Sequence, residues 1–497
     1  MNLANIIEAH PAERVALISR GRDITYGALR EQVAALRAGL VQSGVQRGDR
    51  VGLLIANNWY FVVSYLAVLG IGAVAVPLNP ISPAAEIERE LAAVSATTVI
   101  VGPTAVAAWR GVDRAKTPSV QHVIAAEGEL ADATTLDSLM ETSTEVPPIV
   151  DLTDDALAVL IFTSGTAGAP RAAMLSHGNL QANIQQVIDA DAGTRADDIV
   201  YGVLPVFHIF GLNVVLGISL AVGATVVLVQ RFDPSTALET IRERSVTVVP
   251  GAPPMWIAFS TFDDAPADSF ATVRIATTGA AKMPEEAIRR LDSRFGVKLA
   301  EGYGLTEASP IVTTSRNVAI RVGSVGKVLD GIEVRLVDES GDDVLDGDAG
   351  EIWVKGPNVF QGYLDDPDNT SRVLTADGWL RTGDIAITDD DGYLYLVDRA
   401  KDLIIVSGFN VYPKEVEDVL IDYPGIAEVG VIGVPHPHTG EAVKAFVVAE
   451  PGVHLDEDAL IEHCKSELAR YKCPSKVLFV DQLPRNVSGK LLRRELM

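Results

Sequence analysis

One succession near the start of the chain limits the fold more than any other feature. Val51-Gly-Leu-Leu-Ile55 reads as a buried strand, Trp59 to Leu69 as a helix, and Ala73 to Pro77 as a second strand. Strand, helix, strand in that order predicts a parallel sheet with crossover helices on its faces. Just ahead, Leu29, Val33, Leu36 and Leu40 recur at helical spacing, and Ser43-Gly44 closes that helix. The alternation continues to about residue 310.

From about residue 323 the texture changes to short alternating runs, Glu333-Val-Arg-Leu-Val337, Gly350-Glu-Ile-Trp-Val354 and Tyr393-Leu-Tyr-Leu-Val397, separated by Gly and Asp turns. These predict antiparallel strands of a small barrel-like subdomain. After Asp398-Arg399-Ala400-Lys401 the pattern reverts to mixed helix and strand: Val429 to Val434 and Ala445 to Val448 are strands, Leu460 to Leu468 an amphipathic helix. With 497 residues the chain exceeds what one core supports. The expected architecture is α/β: a large N-terminal domain, residues 1–398, of parallel α/β sheets with the small antiparallel barrel-like subdomain at about 323–398. A small α+β C-terminal domain, 399–497, follows.

A net charge of −25 argues against nucleic acid, whose binding surfaces are basic. The same charge sits awkwardly with an anionic substrate, so positive charge is expected to be concentrated locally. The tail from Lys465, with Arg470, Lys472, Lys476, Arg485, Lys490, Arg493 and Arg494, supplies it or is a solvated basic end. The nearly apolar stretch Leu212 to Val229 is interrupted by Asn213, Ser219, Thr225 and a Gly223-Ala224 turn, and reads as a buried helix running into a strand rather than a membrane span. The start, Met1-Asn2-Leu3-Ala4-Asn5, lacks the features of a secretory signal. Cys464 and Cys473 fit neither a disulfide framework nor a zinc spacing, which suits a reducing cytoplasm. His436 and His438 lack the helical spacing of a zinc site and read as surface-loop residues. The sequence leaves a monomer and a homodimer open.

The sharpest local signal is Phe162-Thr163-Ser164-Gly165-Thr166-Ala167-Gly168-Ala169-Pro170-Arg171. Three hydroxyls, two glycines and a cation can cradle phosphate, although such a loop taken alone is more often a turn. It lacks the Gly-Lys-Ser/Thr ending of a Walker loop. Four more motifs follow in order: Glu301-Gly-Tyr-Gly-Leu-Thr-Glu307, Trp379-Leu-Arg-Thr-Gly-Asp384, Asp398-Arg399-Ala-Lys401-Asp402 and Pro484-Arg-Asn-Val-Ser-Gly-Lys490. With these motifs, and with Gly48-Asp49-Arg50-Val51 and Gly72 to Pro80, the chain resembles the acyl-adenylate-forming superfamily along essentially its whole length. That superfamily includes acyl-CoA synthetases, luciferases and peptide-synthetase adenylation domains.

The resemblance implies an AMP-forming acid–thiol ligase using ATP, Mg²⁺ and coenzyme A, with a carboxylic acid as the other substrate. It implies that Thr163, Ser164, Gly165, Thr166, Gly168 and Arg171 handle the ATP phosphates. Tyr303 then stacks on adenine, with Gly279, Ala280 and Ala281 on the other side. Thr306 touches the α-phosphate, Glu307 binds Mg²⁺, and Asp384 and Arg399 reach the ribose. Lys490 points at the carboxylate and α-phosphate, Lys401 is the hinge of a mobile C-terminal domain, and Gly408 lines the pantetheine path. The family loop usually reads Thr-Gly-x-Pro-Lys-Gly; here Ala167, Arg171 and Ala172 depart from it, which implies altered pyrophosphate handling.

Two features narrow the subclass. His208, in Val206-Phe207-His208-Ile209-Phe210-Gly211, stands where amino-acid-activating relatives place an Asp, and in acyl- and aryl-CoA ligases this His gates the acyl pocket. No insertion of the kind found in fatty acyl-AMP ligases lies between Gly323 and Gly356, which favours transfer to CoA. The apolar segments Ile209 to Leu220 and Met255 to Phe259 suit a hydrocarbon tail, and the expected acid is a medium- or long-chain fatty acid, with an aryl acid or a CoA-independent homologue as alternatives.

Overall fold

The computed structural model describes all residues except 129, 142–144, 164–169, 191–192, 281–282, 284, 317, 339, 346, 400–403, 412, 485–492, 494–495 and 497, and describes residues 397–399, 410 and 414 without their side chains. The succession Arg50–Leu54, Trp59–Gly70, Val74–Pro77 forms as the sequence predicts, the two strands pairing in parallel. They sit inside a 7-stranded sheet ordered Thr134–Thr135, His122–Ala125, Thr98–Val101, Arg50–Leu54, Val74–Pro77, Leu157–Thr163, Arg171–Ser176. Every residue of the helix Trp59–Gly70 is buried, which explains why its sequence is apolar on all faces rather than along one stripe. Asn58 caps it, its side chain accepting from the Phe61 N–H.

The second, 9-stranded sheet runs Lys327–Val328, Ile311–Thr314, Leu299–Gly304, Ile275–Thr278, Val248–Gly251, Ile199–Gly202, Thr225–Leu228, Val15–Ser19, Arg22–Thr25. Its central strands are parallel and its two ends antiparallel. The pair Lys327–Val328 lies within the stretch expected to be a separate antiparallel unit, yet it pairs with Ile311–Thr314 at this sheet's edge. The antiparallel sheet itself comprises Glu333–Val337, Gly350–Lys355, Leu380–Thr388 and Leu394–Arg399. A further mixed sheet, built from Ile404–Val406, Phe409–Val411, Ile426–His436, Gly440–Ala449 and Lys476–Phe479, carries its own core around Val431, Val447 and Leu460. Cys464 and Cys473 are free thiols in that core.

The apolar stretch after His208 becomes a π-helix, Phe210–Gly217, continued by Ile218–Val222 and then the strand Thr225–Leu228, with Gly223 in the left-handed region between them. Among the described residues no helix is long and apolar enough to cross a membrane. Two asparagines fix how these layers meet. Asn57 donates to the carbonyls of Gly202 (3.1 Å) and Leu204 (2.7 Å) and accepts from the Val206 N–H (3.1 Å), pinning the approach to His208. Asn183, on the helix His177–Asp189, exchanges hydrogen bonds with both backbone groups of Ile311 (2.8 and 3.0 Å).

Candidate active site

A cavity of about 410 Å³ opens where the parallel strands Ile275–Thr278 and Leu299–Gly304 end, the usual location for a ligand in such sheets. The π-helix and the antiparallel sheet close its sides. Tyr303, Thr306, Glu307, His208, Arg171, Gly279, Ala280, Asp384 and Gly408 all line it, so motifs far apart in sequence converge on one space. Gly304 makes the convergence possible: a Cβ there would meet the Pro310 carbonyl oxygen at 2.0 Å.

Tyr303 is buried, and its hydroxyl donates to Asp384 Oδ2 at 2.7 Å, tying a ring on the large sheet to a carboxylate on the antiparallel one. Asp384 is held from behind: its own N–H donates to Thr382 Oγ1 (3.1 Å), Thr382 Oγ1 donates to the Ile352 carbonyl (2.8 Å), and the Gly383 N–H donates to Glu351 Oε1 (2.9 Å). Glu307 sits on the short helix Thr306–Ala308, and the Tyr363 hydroxyl donates to its Oε1 at 2.7 Å. Burial raises the Glu307 pKa, opposed by the Tyr363 hydrogen bond and by the Arg171 charge. The Arg171 guanidinium stands 5.4 Å from the Tyr363 ring centroid, so one tyrosine organises both.

His208 belongs to two spaces at once. It lines the main cavity and also a narrow cavity of about 70 Å³ walled by Thr163, Phe207, Phe409, Tyr471 and Lys472. Burial pushes its pKa down to about 4, so the imidazole is neutral at neutral pH. The Phe210 N–H donates to Nδ1 at 3.3 Å, which leaves the proton of the neutral ring on Nε2. Phe409 meets His208 edge-on at 5.8 Å and stacks on Tyr471 at 4.4 Å. Gly408, at φ +84°, brings the turn before Phe409 against the main cavity, where an added Cβ would lie 3.5 Å from that of Ala280.

Thr163 lines the narrow cavity rather than the main one, although it pairs in register with Arg171. Ser164, Gly165, Thr166, Gly168, Ala281, Lys401 and Lys490 lie outside the described residues, and of Arg399 only the backbone pairing with Asp384 is described. The expectation that the basic tail supplies free positive charge is corrected at three positions. Lys472 is buried against Glu86 and Glu415, at 2.9 Å from each; Lys465 pairs with Glu462 and Arg493 with Glu417. Those charges are already neutralised. Tyr363, Glu351 and Arg316 also line the cavity. Nothing in their local sequence marks them, because strand pairing brings them there rather than any motif spacing.

The model of the AMP-binding enzyme family matches residues 3–364, and that of the AMP-binding enzyme C-terminal domain matches residues 415–490. The chain belongs to the AMP-binding enzyme family. Among curated relatives of this AMP-binding enzyme, a feruloyl-CoA synthase of Amycolatopsis sp is 37% identical over 484 residues, covering 96% of this chain and 94% of that one. A long-chain-fatty-acid–CoA ligase of Salmonella typhimurium is 34% identical over 520 residues, covering 98% and 91%. Among solved structures, an amide bond synthetase of Marinactinospora thermotolerans superposes with a TM-score of 0.90 at 30% identity, covering 100% of this chain and 99% of that one. Its relatives place this AMP-binding enzyme among the AMP-forming acid–thiol ligases.

Proposed function

We propose that the protein joins a carboxylic acid to coenzyme A through an acyl-adenylate. A carboxylate oxygen forms a bond to the α-phosphorus of ATP as the bond to the β-phosphate oxygen breaks and pyrophosphate leaves. The CoA thiol then gives up its proton, its sulfur bonds to the acyl carbon, and AMP departs. The observation that carries this reading is His208 lining both cavities, which lets the nucleotide and acid occupy one and the thiol arrive through the other. The neutral ring adds no positive charge to the narrow passage, where Phe207, Phe409 and Tyr471 stand beside charged residues such as Glu86 and Lys472.

In this reading Tyr303 stacks on adenine, and its bond to Asp384 keeps the ring upright beside the ribose-binding carboxylate. Gly279 and Ala280 form the opposite wall, and Arg399 joins Asp384 at the ribose. Ser164, Gly165, Thr166, Gly168 and Arg171 meet the phosphates, with Thr163 leading into that loop from the narrow-cavity side; Thr306 meets the α-phosphate, and Lys490 the reacting carboxylate. Gly408 borders the pantetheine, Ala281 the adenine, and residues 399–497 turn about Lys401 between the two steps.

Glu307 fits Mg²⁺. It is a buried carboxylate with one oxygen engaged by Tyr363, and burial raises its pKa, so a hard cation would relieve the cost of ionising it. Among the described residues no three His, Cys, Asp or Glu side chains are grouped to cage a metal. That matches a cation shared with substrate phosphates, where it would neutralise the charge gathering at phosphorus.

We infer a compact acid, aryl or alicyclic, because about 410 Å³ must take both the nucleotide and the acid. Similarity to a feruloyl-CoA synthase supports this choice. Similarity to a long-chain-fatty-acid–CoA ligase supports the second reading, a medium- or long-chain fatty acid. Two buried free thiols support a cytoplasmic setting. The test is pyrophosphate release over hydroxycinnamates, benzoates and C2 to C16 acids, with and without CoA, alongside thioester formation. A ring-bearing acid with the highest kcat/KM and CoA-dependent thioester is expected; pyrophosphate release without any thioester would refute transfer to CoA.

A further inference from the structure

The main cavity holds a cation that the activation chemistry does not use. Arg316 lines it, just past the strand Ile311–Thr314. A terminal guanidinium nitrogen donates to Thr277 Oγ1 at 3.2 Å, and among the described residues that is its sole hydrogen bond. Arg274, Arg321 and Arg335 each pair with an aspartate, whereas Arg316 has no ion-pair partner among the described residues. Burial and the nearby Arg274 charge push its pKa down to about 10, and it remains protonated at neutral pH.

Alternation places this cation on the acid's side of the cavity. Along Leu299–Gly304, Ala300, Gly302 and Gly304 project to one face of the strand and Glu301 and Tyr303 to the other. Thr277 is the cross-strand partner of Ala300, so its side chain shares the Ala300 face. The guanidinium bonded to Thr277 therefore stands over the face opposite Tyr303. The small Ala300 leaves room for it. Phe210 lies on this side, its ring 3.4 Å from the position of a Cβ added at Gly279, and Val187, Val214 and Ile311 supply further apolar wall. From Ala300 to Gly304 the strand advances roughly 13 Å. That separates Arg316 from the Thr306–Glu307 end, where the reacting carboxylate belongs.

Among the described residues no carboxylate balances this charge: none pairs with Arg316, and none offsets the lowering of its pKa by burial and Arg274. An apolar acid seated here would leave a desolvated guanidinium without a counter-charge, which is costly. An acid with a carboxylate at its far end would supply that charge, and the planar fork suits it.

We propose that Arg316 is a specificity-determining residue that selects acids bearing a second carboxylate at the end remote from the reacting one. The proposal rests on the acid–CoA ligase reading above and names its substrate class. The activated carboxylate sits near His208 and Thr306, the apolar body lies against Phe210 and Ile311, and the remote carboxylate meets Arg316 and the Thr277 hydroxyl.

The test measures kcat/KM for CoA-dependent pyrophosphate release with three matched series: C4 to C10 α,ω-diacids, their monomethyl esters and the straight-chain monoacids. 4-Carboxycinnamate, coumarate and ferulate form an aryl arm. At the best length a diacid is expected to exceed its monomethyl ester at least tenfold. Arg316→Met should bring that ratio to one or below while monoacid kcat/KM holds or rises, and Arg316→Lys should retain part of the ratio. A ratio within twofold of one in the wild type, or one unchanged by Arg316→Met, overturns the proposal. So does a preference for coumarate or ferulate over 4-carboxycinnamate. Should Arg316→Met fail to fold, the wild-type ratio and Arg316→Lys decide. If no acid in any series supports CoA-dependent pyrophosphate release, the ligase reading itself fails; if monoacids turn over and diacids do not, only this proposal does.

Discussion

Tyr363 shows how the site depends on residues outside the sequence motifs. Its hydroxyl donates to Glu307 Oε1 and its ring lies beneath Arg171, so it sets both the orientation and the ionisation of the carboxylate. Tyr363→Phe removes the hydrogen bond that opposes the burial-driven rise in the Glu307 pKa. The half-saturating Mg²⁺ concentration should rise on the order of tenfold, the usual penalty for losing a partner behind a metal ligand. Saturating Mg²⁺ should restore most of kcat, and an unchanged Mg²⁺ dependence would show that the tyrosine does not act through Glu307. Residues such as Tyr303, Glu307 and Asp384 were legible in the sequence because each lies in a motif whose order along the chain is diagnostic. Tyr363 and Arg316 were not, since each acquires its role from a neighbour far away in sequence: Glu307 for one, Thr277 for the other.

At the scale of elements, the π-helix Phe210–Gly217 carries one wall of the main cavity, and one polar side chain holds it in place. Asn213 is buried and donates to the carbonyls of Leu180 (3.2 Å) and Ser309 (2.7 Å), joining this helix to its neighbour and to the turn after Glu307. Asn213→Leu strands the Ser309 carbonyl, which costs about 1–3 kcal/mol for a buried group, and removes a second bond from the Leu180 carbonyl, which keeps its helical partner. Chemical denaturation should show a loss of about 2 kcal/mol or more together with reduced adenylation; a neutral substitution would mean that the helix is held by packing alone. The apolar stretch, its turn at Gly223 and the strand that follows were all visible in the sequence. The π geometry was not, because apolar periodicity does not distinguish it from an α-helix over so short a run. Lys327–Val328 was hidden for a similar reason: a two-residue strand has no periodicity of its own, and only its pairing assigns it to the large sheet.

Across the whole molecule, the contact between the sheet of Ile404–Phe479 and the rest of the chain turns on one lysine among carboxylates. Lys472 reaches Glu86 on the helix Ala84–Ala93 and Glu415 on the helix Pro413–Ile421, at 2.9 Å from each, with Arg89 paired to Glu467 beside them. Burial and the Glu86 charge push the Glu90 pKa up from 4.5 to about 8. A carboxyl raised in this arrangement binds a proton that the separated one has lost, so the contact is favoured at lower pH and weakens as pH rises through about 8. Hydrogen exchange across Arg470–Lys472 should accelerate between pH 7 and 9, and Glu90→Gln should flatten that slope; a slope equal in both proteins would contradict the assignment. Lys472→Met leaves buried carboxylates without their counter-ion, a loss of about 3–5 kcal/mol for such pairs. It should depress thioester formation from supplied acyl-AMP more than it depresses pyrophosphate release. The central claim, that one cavity makes an acyl-adenylate before CoA arrives, is tested most directly by oxygen tracing. With ¹⁸O in the carboxylate of the best acid, mass spectrometry of the products should find one labelled oxygen in AMP for each thioester formed. Unlabelled AMP, or ADP and phosphate in its place, would contradict it.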